Sequence, residues 1–351
     1  MLVELANAAS ADGHDVHCCV TRRDRTLAAE LDDRVRLHVL ERSSRFDAGA
    51  LVRFGRLQRS LNPSLLHIHS RSTLSFVAAA RVLGAPAIPV VFHDHYGGIV
   101  RDRSIPWWFP LVAKLIVTEY VGVSELLVAW ARRAKIPAER SRLIANALDF
   151  ARLDEIAARR RAARQLPDSA ICIAGIRSDK GVDLLIHALG LVASRGIRIS
   201  VALVGKVQDE QYWNDCRQLA ETTGVTERLL FLGERADAID LTADYEIGIV
   251  PSRSDSGPLV LIEMLGAGLP VAAFRTGEVA ERAAAAGIGG IVSPGDVAAL
   301  AAEIMLLAEM SPTERVERGT VGRRLASHAF DLRQHMTKWY DVYMSAISSR
   351  T

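Results

Sequence analysis

The chain has 351 residues, 49% hydrophobic and 24% charged, with a formal net charge of +2. That composition belongs to a globular protein with room for two ordinary domains, and it excludes a disordered, collagen-like or strongly acidic chain. The charge is uneven: residues 51–142 carry thirteen Lys/Arg against five Asp/Glu. The first half can therefore present a basic patch to phosphate, anionic lipid or nucleic acid, or simply a solvated Arg-rich surface.

The elements follow in order. Leu2, Leu5, Ala6 and Ala9 give residues 1–12 helical apolar spacing, and Gly13 stops that helix before a strand at Asp15 to Val20. No strand precedes the first helix, so the first domain is expected to lack its opening strand. After Arg22 and Arg23 the pattern predicts a helix at Thr26 to Leu31, a strand at Val35 to Leu40, and a helix at Leu51 to Leu61. Leu65 to His69 reads as a strand with His67 and His69 at its end. A helix at Ser75 to Leu83 and a strand at Pro89 to Phe92 come next, the latter running into His93, Asp94 and His95. Alternating strands and helices predict a parallel α/β sheet, whose ligands bind beyond the carboxyl ends of the strands.

Residues 101–111 (RDRSIPWWFPL) join Arg101 and Arg103 to Trp107 and Trp108. This is the make-up of a peripheral membrane anchor, or equally of a loop packed on the core. Leu115 to Val123 reads as a strand and Glu125 to Ala134 as a helix. An Arg-rich helix (Arg159, Arg160, Arg161, Arg164) ends near Pro167, which places the linker there. The first domain is then 1–165 and the second 166–327, with a last helix at about 328–348.

The second half repeats the alternation. Strand Ala170 to Ala174 leads to Arg177, Lys180 and Gly181, strand Arg198 to Val204 to Gly205 and Lys206, and strand Tyr245 to Val250 to the stretch PSRSDSGPLVLIEMLGAGLP. A strand, a polar turn and a helix whose first amides are unpaired make a ready anion site. Asp255 and Glu263 are eight residues apart, roughly 12 Å along a helix axis at ~1.5 Å per residue. Two acids flanking the Gly257, Pro258 and Leu259 turn suit a ligand with a diphosphate between hydroxyls; the plain alternative is a buried strand and helix with one satisfied carboxylate.

Several chemistries are excluded by motif. There is no G-x-G-x-x-G between strand and helix, no Walker P-loop and no G-x-S-x-G. Cys18, Cys19, Cys172 and Cys216 have neither CxxC spacing nor a histidine at ligand spacing, so neither zinc nor a disulfide framework is implied. No run of about 18 apolar residues is present, and no signal peptide is read. A cytoplasmic protein is expected.

Taken together, these residues resemble the GT-B-fold glycosyltransferases, most closely glycosyltransferase family 4. The resemblance rests on PSRSDSGPLVLIEMLGAGLPVAA for the family's E-x7-E motif, with SDKGVDLLIHAL, FLGER and TGEVAE in support. In the first half it rests on ELANAASADGHDV, HIHS, PVVFHDHYGG, VGVSELL and IANALDF. It covers roughly residues 1–310. It implies two Rossmann-like domains facing a cleft, and transfer of a hexose-type sugar from a nucleotide-diphosphate sugar with retention and without a metal or other cofactor. It also implies a final helix that crosses back to the first domain. By it, His95, Lys180 and Asp255 are catalytic, and Arg177 and Glu263 bind the donor; Gly205, Lys206, Gly257, Pro258 and Leu259 are expected as further donor contacts from their place at strand ends. No nucleic acid is expected as a partner, and any membrane contact would be peripheral, at the inner face. The chain departs from the family pattern at Asp255, where a glutamate is usual, and at Gly175, where an arginine is usual and Arg177 stands nearby. The alternatives are an inactive or truncated sugar-nucleotide-binding relative and a GT-B-fold epimerase.

Overall fold

The computed structural model describes residues 1–22, 26–44, 47–162 and 165–349. Arg23 and Arg164 lie outside them. The chain divides into two units, one of Met1–Ala147 with the segment from Leu332 onward, the other of Leu148–Asp331.

In the first unit, α1 (Leu2–Ala11) precedes β1 (His17–Val20), which pairs in parallel with β2 (Arg36–Val39) as a separate two-stranded sheet. The helix expected after β1 is only a 3-10 turn, Thr26–Ala29. The Asn7 side chain accounts for this. It donates to the Glu30 carbonyl and accepts from the Asp32 amide, two groups that a continuing helix would use. α2 (Ala48–Leu61) starts on Asp47, whose carboxylate accepts from the Ala50 amide at 2.9 Å.

β3 (Leu66–His69), α3 (Arg71–Val82), β4 (Val90–Asp94), α4 (Phe109–Ile116), β5 (Glu119–Gly122), α5 (Glu125–Arg133) and β6 (Ser141–Leu143) follow. Their strands form a parallel sheet in the order β3-β4-β5-β6. The apolar run from Leu115 therefore holds the end of a helix before it holds a strand. Phe109, Ala113 and Ile116 form the buried stripe of α4, and the strand begins only at Glu119. Short apolar runs do not by themselves separate these two states.

Side-chain alternation divides the β3–β6 sheet into two faces. Ile68, Val90, Phe92 and Tyr120 join the core beneath α2, α3, α4 and α5. Val91 and Val121 point to the opposite face, as do His67, His69 and His93 by the same alternation.

The second unit opens with α6 (Phe150–Ala162). The Pro167 stop suggests a boundary at 165, but the division falls at 147/148, because α6 is bound into the second unit. Buried Arg160 donates to the carbonyls of Thr242 (2.9 Å), Tyr245 and Glu246 (3.3 Å). Phe150 and Leu153 sit so close to Gly266 that a Cβ there would lie 2.6 Å from Leu153 Cδ1.

Next come β7 (Ser169–Ile173), α7 (Val182–Ser194), β8 (Ser200–Val204), α8 (Glu210–Thr222), β9 (Leu229–Gly233), β10 (Ile247–Val250), α9 (Leu259–Gly266), β11 (Val271–Phe274), α10 (Gly277–Ala285), β12 (Ile291–Val292), α11 (Val297–Glu309) and α12 (Pro312–Ala329). The six strands are parallel in the order β12-β11-β10-β7-β8-β9. The chain thus moves outward from β7 to β9, then returns to the other side of β7 with β10. The boundary between β7 and β10 is the topological switch point, beside which open sheets of this kind bind their ligands.

The last helix, expected at about 328–348, runs from Leu332 to Ser348 and is preceded by a separate α12. α12 opens on a reciprocal Ser311–Glu314 capping box and ends at Phe330. α13 (Leu332–Ser348) then rejoins the first unit. Its Leu332, Met336, Trp339, Val342 and Ala346 form a core with Leu5, Val91, Val121, Ile144 and Ala147. Trp339 is fully buried there, and truncating such a residue typically costs about 3–5 kcal/mol.

Candidate functional site

Both loops at the β7/β10 switch point are held by backbone geometry. After β7 the chain makes a 3-10 turn, Ser178–Lys180, and reaches Gly181 at φ 71°. A Cβ on Gly181 would lie 2.0 Å from the Pro251 carbonyl oxygen at the end of β10. Only glycine permits that approach, and it presses one loop onto the other. The Arg253 amide also donates to the Asp179 carbonyl at 2.9 Å. The result is a Lys180 Nζ to Asp255 Oδ2 distance of 2.7 Å, with the side chains 21% and 16% exposed. Two of the three predicted catalytic residues, 75 positions apart in sequence, therefore form one ion pair.

A second pair braces this one. Arg253 binds both carboxylate oxygens of Asp183, in the first turn of α7, and also the Ser178 carbonyl at 2.8 Å. Tyr212 of α8 donates to Asp183 Oδ1 at 2.5 Å and accepts from the Asp183 amide at 3.1 Å. Burial alone would raise the Asp183 carboxyl. The hydrogen bonds from Arg253 and Tyr212 outweigh it and hold the group below its ordinary value. Sequence reasoning missed Arg253, Asp183 and Tyr212. The available signal was an arginine two residues before Asp255 and an acid three residues after Lys180, but no local pattern pairs them.

The Asp255 turn is tied down from its other side. Asp255 Oδ1 accepts from the Gly257 amide at 3.2 Å. Gly277, at φ 77°, lies against the Asp255–Gly257 backbone, where a Cβ would meet the Gly257 nitrogen at 2.9 Å. The Glu278 amide donates to the Ser256 carbonyl at 3.1 Å. α9 begins at Leu259, with Pro258 as its N-cap and no capping side chain. Asp255 thus precedes the helix, and the axial spacing of 12 Å to Glu263 does not apply. Pro258 has no N–H to give a ligand, so the turn's donors are Gly257, already on Asp255, and the first amides of α9. Glu263 is partly exposed, as are Leu259 and Val260 at the start of the helix, while Leu261, Ile262, Met264 and Leu265 are buried.

The remaining predicted donor contacts are less closely gathered. At Gly205 a Cβ would lie 2.0 Å from the Ala174 carbonyl oxygen, so β8 closes tightly on the loop after β7. Arg177 is engaged with Asp179 at 2.7 Å and with Gln208 at 3.1 Å. Lys206 lies 3.8 Å from Glu234, with both side chains about two-thirds exposed, a loose and strongly screened pair.

His95 belongs to the first unit, just past β4. Its Nε2 is 3.1 Å from His69 Nδ1. Burial pushes the imidazole down to about 4, so it is neutral at pH 7 and offers one donor and one acceptor. The adjoining Asp94 is fully buried. It accepts from Arg71 at 3.2 Å, Tyr120 at 3.1 Å and the Tyr96 amide at 3.0 Å, which fixes the backbone leading to and from His95. Arg71 in turn lies over the Trp130 ring at 3.9 Å and the Tyr96 ring at 4.3 Å.

Comparison with known proteins matches both units. The family described as Glycosyltransferase Family 4 matches residues 1–152, and the family described as Glycosyl transferases group 1 matches residues 167–310. The chain is 24% identical over 293 residues to the putative glycosyltransferase EpsF of Bacillus subtilis, covering 80% of this chain and 74% of that protein. Among solved structures it resembles HepE of Anabaena in complex with UDP and glucose, with a TM-score of 0.80, 19% identity, and coverage of 98% of this chain and 95% of that one. It also resembles sucrose-phosphate synthase of Thermosynechococcus elongatus, with a TM-score of 0.78, 18% identity, and coverage of 98% and 92%. These likenesses establish the GT-B fold.

Proposed function

The chain belongs to the group 1, family 4 glycosyltransferases, and on that premise we propose that it moves a hexose from a nucleotide-diphosphate sugar with retention of configuration. The carrying observation is the Lys180–Asp255 pair at the switch point, beside the uncapped start of α9. A lysine ammonium has three donors. One lies on Asp255, which leaves two for the oxygens of a departing diphosphate, while the α9 amides and helix dipole oppose the same charge. Charge developing on the leaving group is then met by fixed positive groups, and no metal is needed at the diphosphate. Asp255 would face the sugar hydroxyls and Glu263 the ribose. Neutral His95 would accept a hydrogen bond from the transferred sugar or donate one to it.

HepE has been crystallised with UDP and with UDP-glucose, so a UDP-hexose is the first donor to try. A thermal-shift panel of UDP-, GDP-, ADP- and TDP-sugars identifies it. At a hundred times Kd the true donor stabilises by about 2.7 kcal/mol. Lys180→Ala is expected to lower kcat by about 10²–10³-fold with a smaller change in KM, the signature of a group used most in the transition state. An effect on KM alone removes Lys180 from the mechanism.

The acceptor side carries a surface suited to anionic lipid. Trp107 (90% exposed), Leu111 and Leu115 project at four-residue intervals on and just before α4, flanked by exposed Arg101, Arg103 and Lys114. Trp108 is only partly exposed and packs on the core, so the anchor we propose is narrower than the Trp-Trp pair. No helix among the described residues is long and apolar enough to cross a membrane. Flotation with phosphatidylserine vesicles tests peripheral binding. Retention of binding by Trp107→Ser with Leu111→Ser rejects it.

A further inference from the structure

We propose that His67, His69 and His93 form a binding site for one divalent transition-metal ion of the zinc class. The sequence implied no metal, because its cysteines lack ligand spacing and the family that it resembles works without one. The strand register creates the spacing instead. His67 and His69 are two apart on β3 and so share a face, and His69 is the register partner of His93 on β4. One nitrogen from each ring falls within 4.8 Å of the others.

The nitrogen spacing suits an ion. His67 Nε2 and His93 Nδ1 are 3.2 Å apart, close to the roughly 3.3 Å edge of a tetrahedron with Zn–N bonds of about 2.0–2.1 Å. Without an ion, one of these nitrogens must donate to the other. His93 Nε2 is then left either as a buried N–H or as a buried lone pair, and it has no protein partner. An ion between His67 Nε2 and His93 Nδ1 takes the lone pairs of both and leaves His93 Nε2 as its buried N–H.

The outer contacts suit metal-bound imidazoles. Tyr343 lies 2.9 Å from His67 Nδ1 and can accept its proton, freeing Nε2. His95 Nε2 lies 3.1 Å from His69 Nδ1 and can do the same for His69. Such partners fix tautomer and ring orientation. Trp339 closes the pocket against the His67 and His93 rings, at centroid distances of 4.9 and 4.6 Å. An all-imidazole set favours zinc, copper, nickel or iron over magnesium or calcium. The three ligands belong to the first unit, apart from Lys180 and Asp255, so the inference stands whether or not the donor reading does.

The test uses Co²⁺ alone as probe. EDTA-stripped full-length protein is titrated with Co²⁺ and its visible ligand-field absorption recorded, followed by displacement with Zn²⁺. One equivalent is expected to bind, with bands that Zn²⁺ bleaches. His93→Gln and His69→Gln are each expected to weaken binding about 10-fold or more, while His187→Gln, on the exposed face of α7, leaves it unchanged. His69 is only partly buried, so its variant carries the test if the His93 variant does not fold, with circular dichroism in EDTA as the check. Absence of the bands, or wild-type affinity in His69→Gln, overturns the site.

Discussion

Gly181→Ala tests whether the proposed donor site is built by contact between two backbones. Gly181 combines a left-handed φ of 71° with a Cβ position 2.0 Å from the Pro251 carbonyl oxygen. Gly196, at the far end of the same helix, has a similar φ of 77° with nothing within 4 Å of its Cβ position. Alanine at Gly196 therefore meets only the left-handed penalty, about 1 kcal/mol. At Gly181 it meets that penalty plus overpacking of about 1–3 kcal/mol, for a total near 3 kcal/mol. For a unit of this size the expected fall in Tm is about 6–12 °C at Gly181 and about 2–4 °C at Gly196. Restoring ordinary contact, 3.4 Å or more, requires the β7 and β10 loops to part by over 1 Å. Lys180 and Asp255 sit on those two loops, and a 1 Å displacement of reacting groups lowers turnover about 100-fold. The assay is differential scanning calorimetry of both variants, paired with transfer or hydrolysis of the donor that the thermal-shift panel selects. Equal Tm losses in the two variants, or full turnover in Gly181→Ala, would refute the argument.

Asp183 has its carboxyl held below the ordinary 3.8, so it contributes stability in full above about 3.8 that is lost as pH falls through the lower folded value. Asp183→Asn should be less stable at neutral pH and lose less on acidification, as read by urea midpoints across the acid range; parallel curves would show that the brace is not electrostatic. Trp107→Ser should leave Tm within about 1 °C, since surface changes of this kind are small, whereas Phe109→Ala, two residues on and fully buried, should cost about 3–5 kcal/mol. Equal effects would mean that this stretch packs differently.

The second unit was the more legible from sequence. Its strands, its glycine stops and the turn around Asp255 are local patterns, and each loop follows its strand directly. What stayed hidden depends on register or on distant partners. Arg253 reaches Asp183 across 70 residues, and nothing in either neighbourhood announces the other. His67, His69 and His93 were visible as residues at strand ends, but their convergence follows from how β3 and β4 align. Trp107, Trp108 and Phe109 read as one aromatic block, yet the turn into α4 sends the first outward and the third into the core. The Arg-rich helix looked like a linker because its charges are conspicuous, while Arg160's carbonyl partners more than 80 residues ahead are not. Asp255 read correctly as part of a polar turn, but its helical spacing to Glu263 fails because the helix begins only at Leu259.

The docking of α13 also bears on the order in which the protein is made. Residues 148–331 form a continuous unit that holds everything its sheet needs, so it can fold as it leaves the ribosome. The first unit is synthesised earlier but must wait. One face of its sheet stays uncovered until Leu332, Met336 and Trp339 emerge with the last helix. The segment made first is therefore completed last, and it spends most of synthesis with Val91 and Val121 open to water and to chaperones.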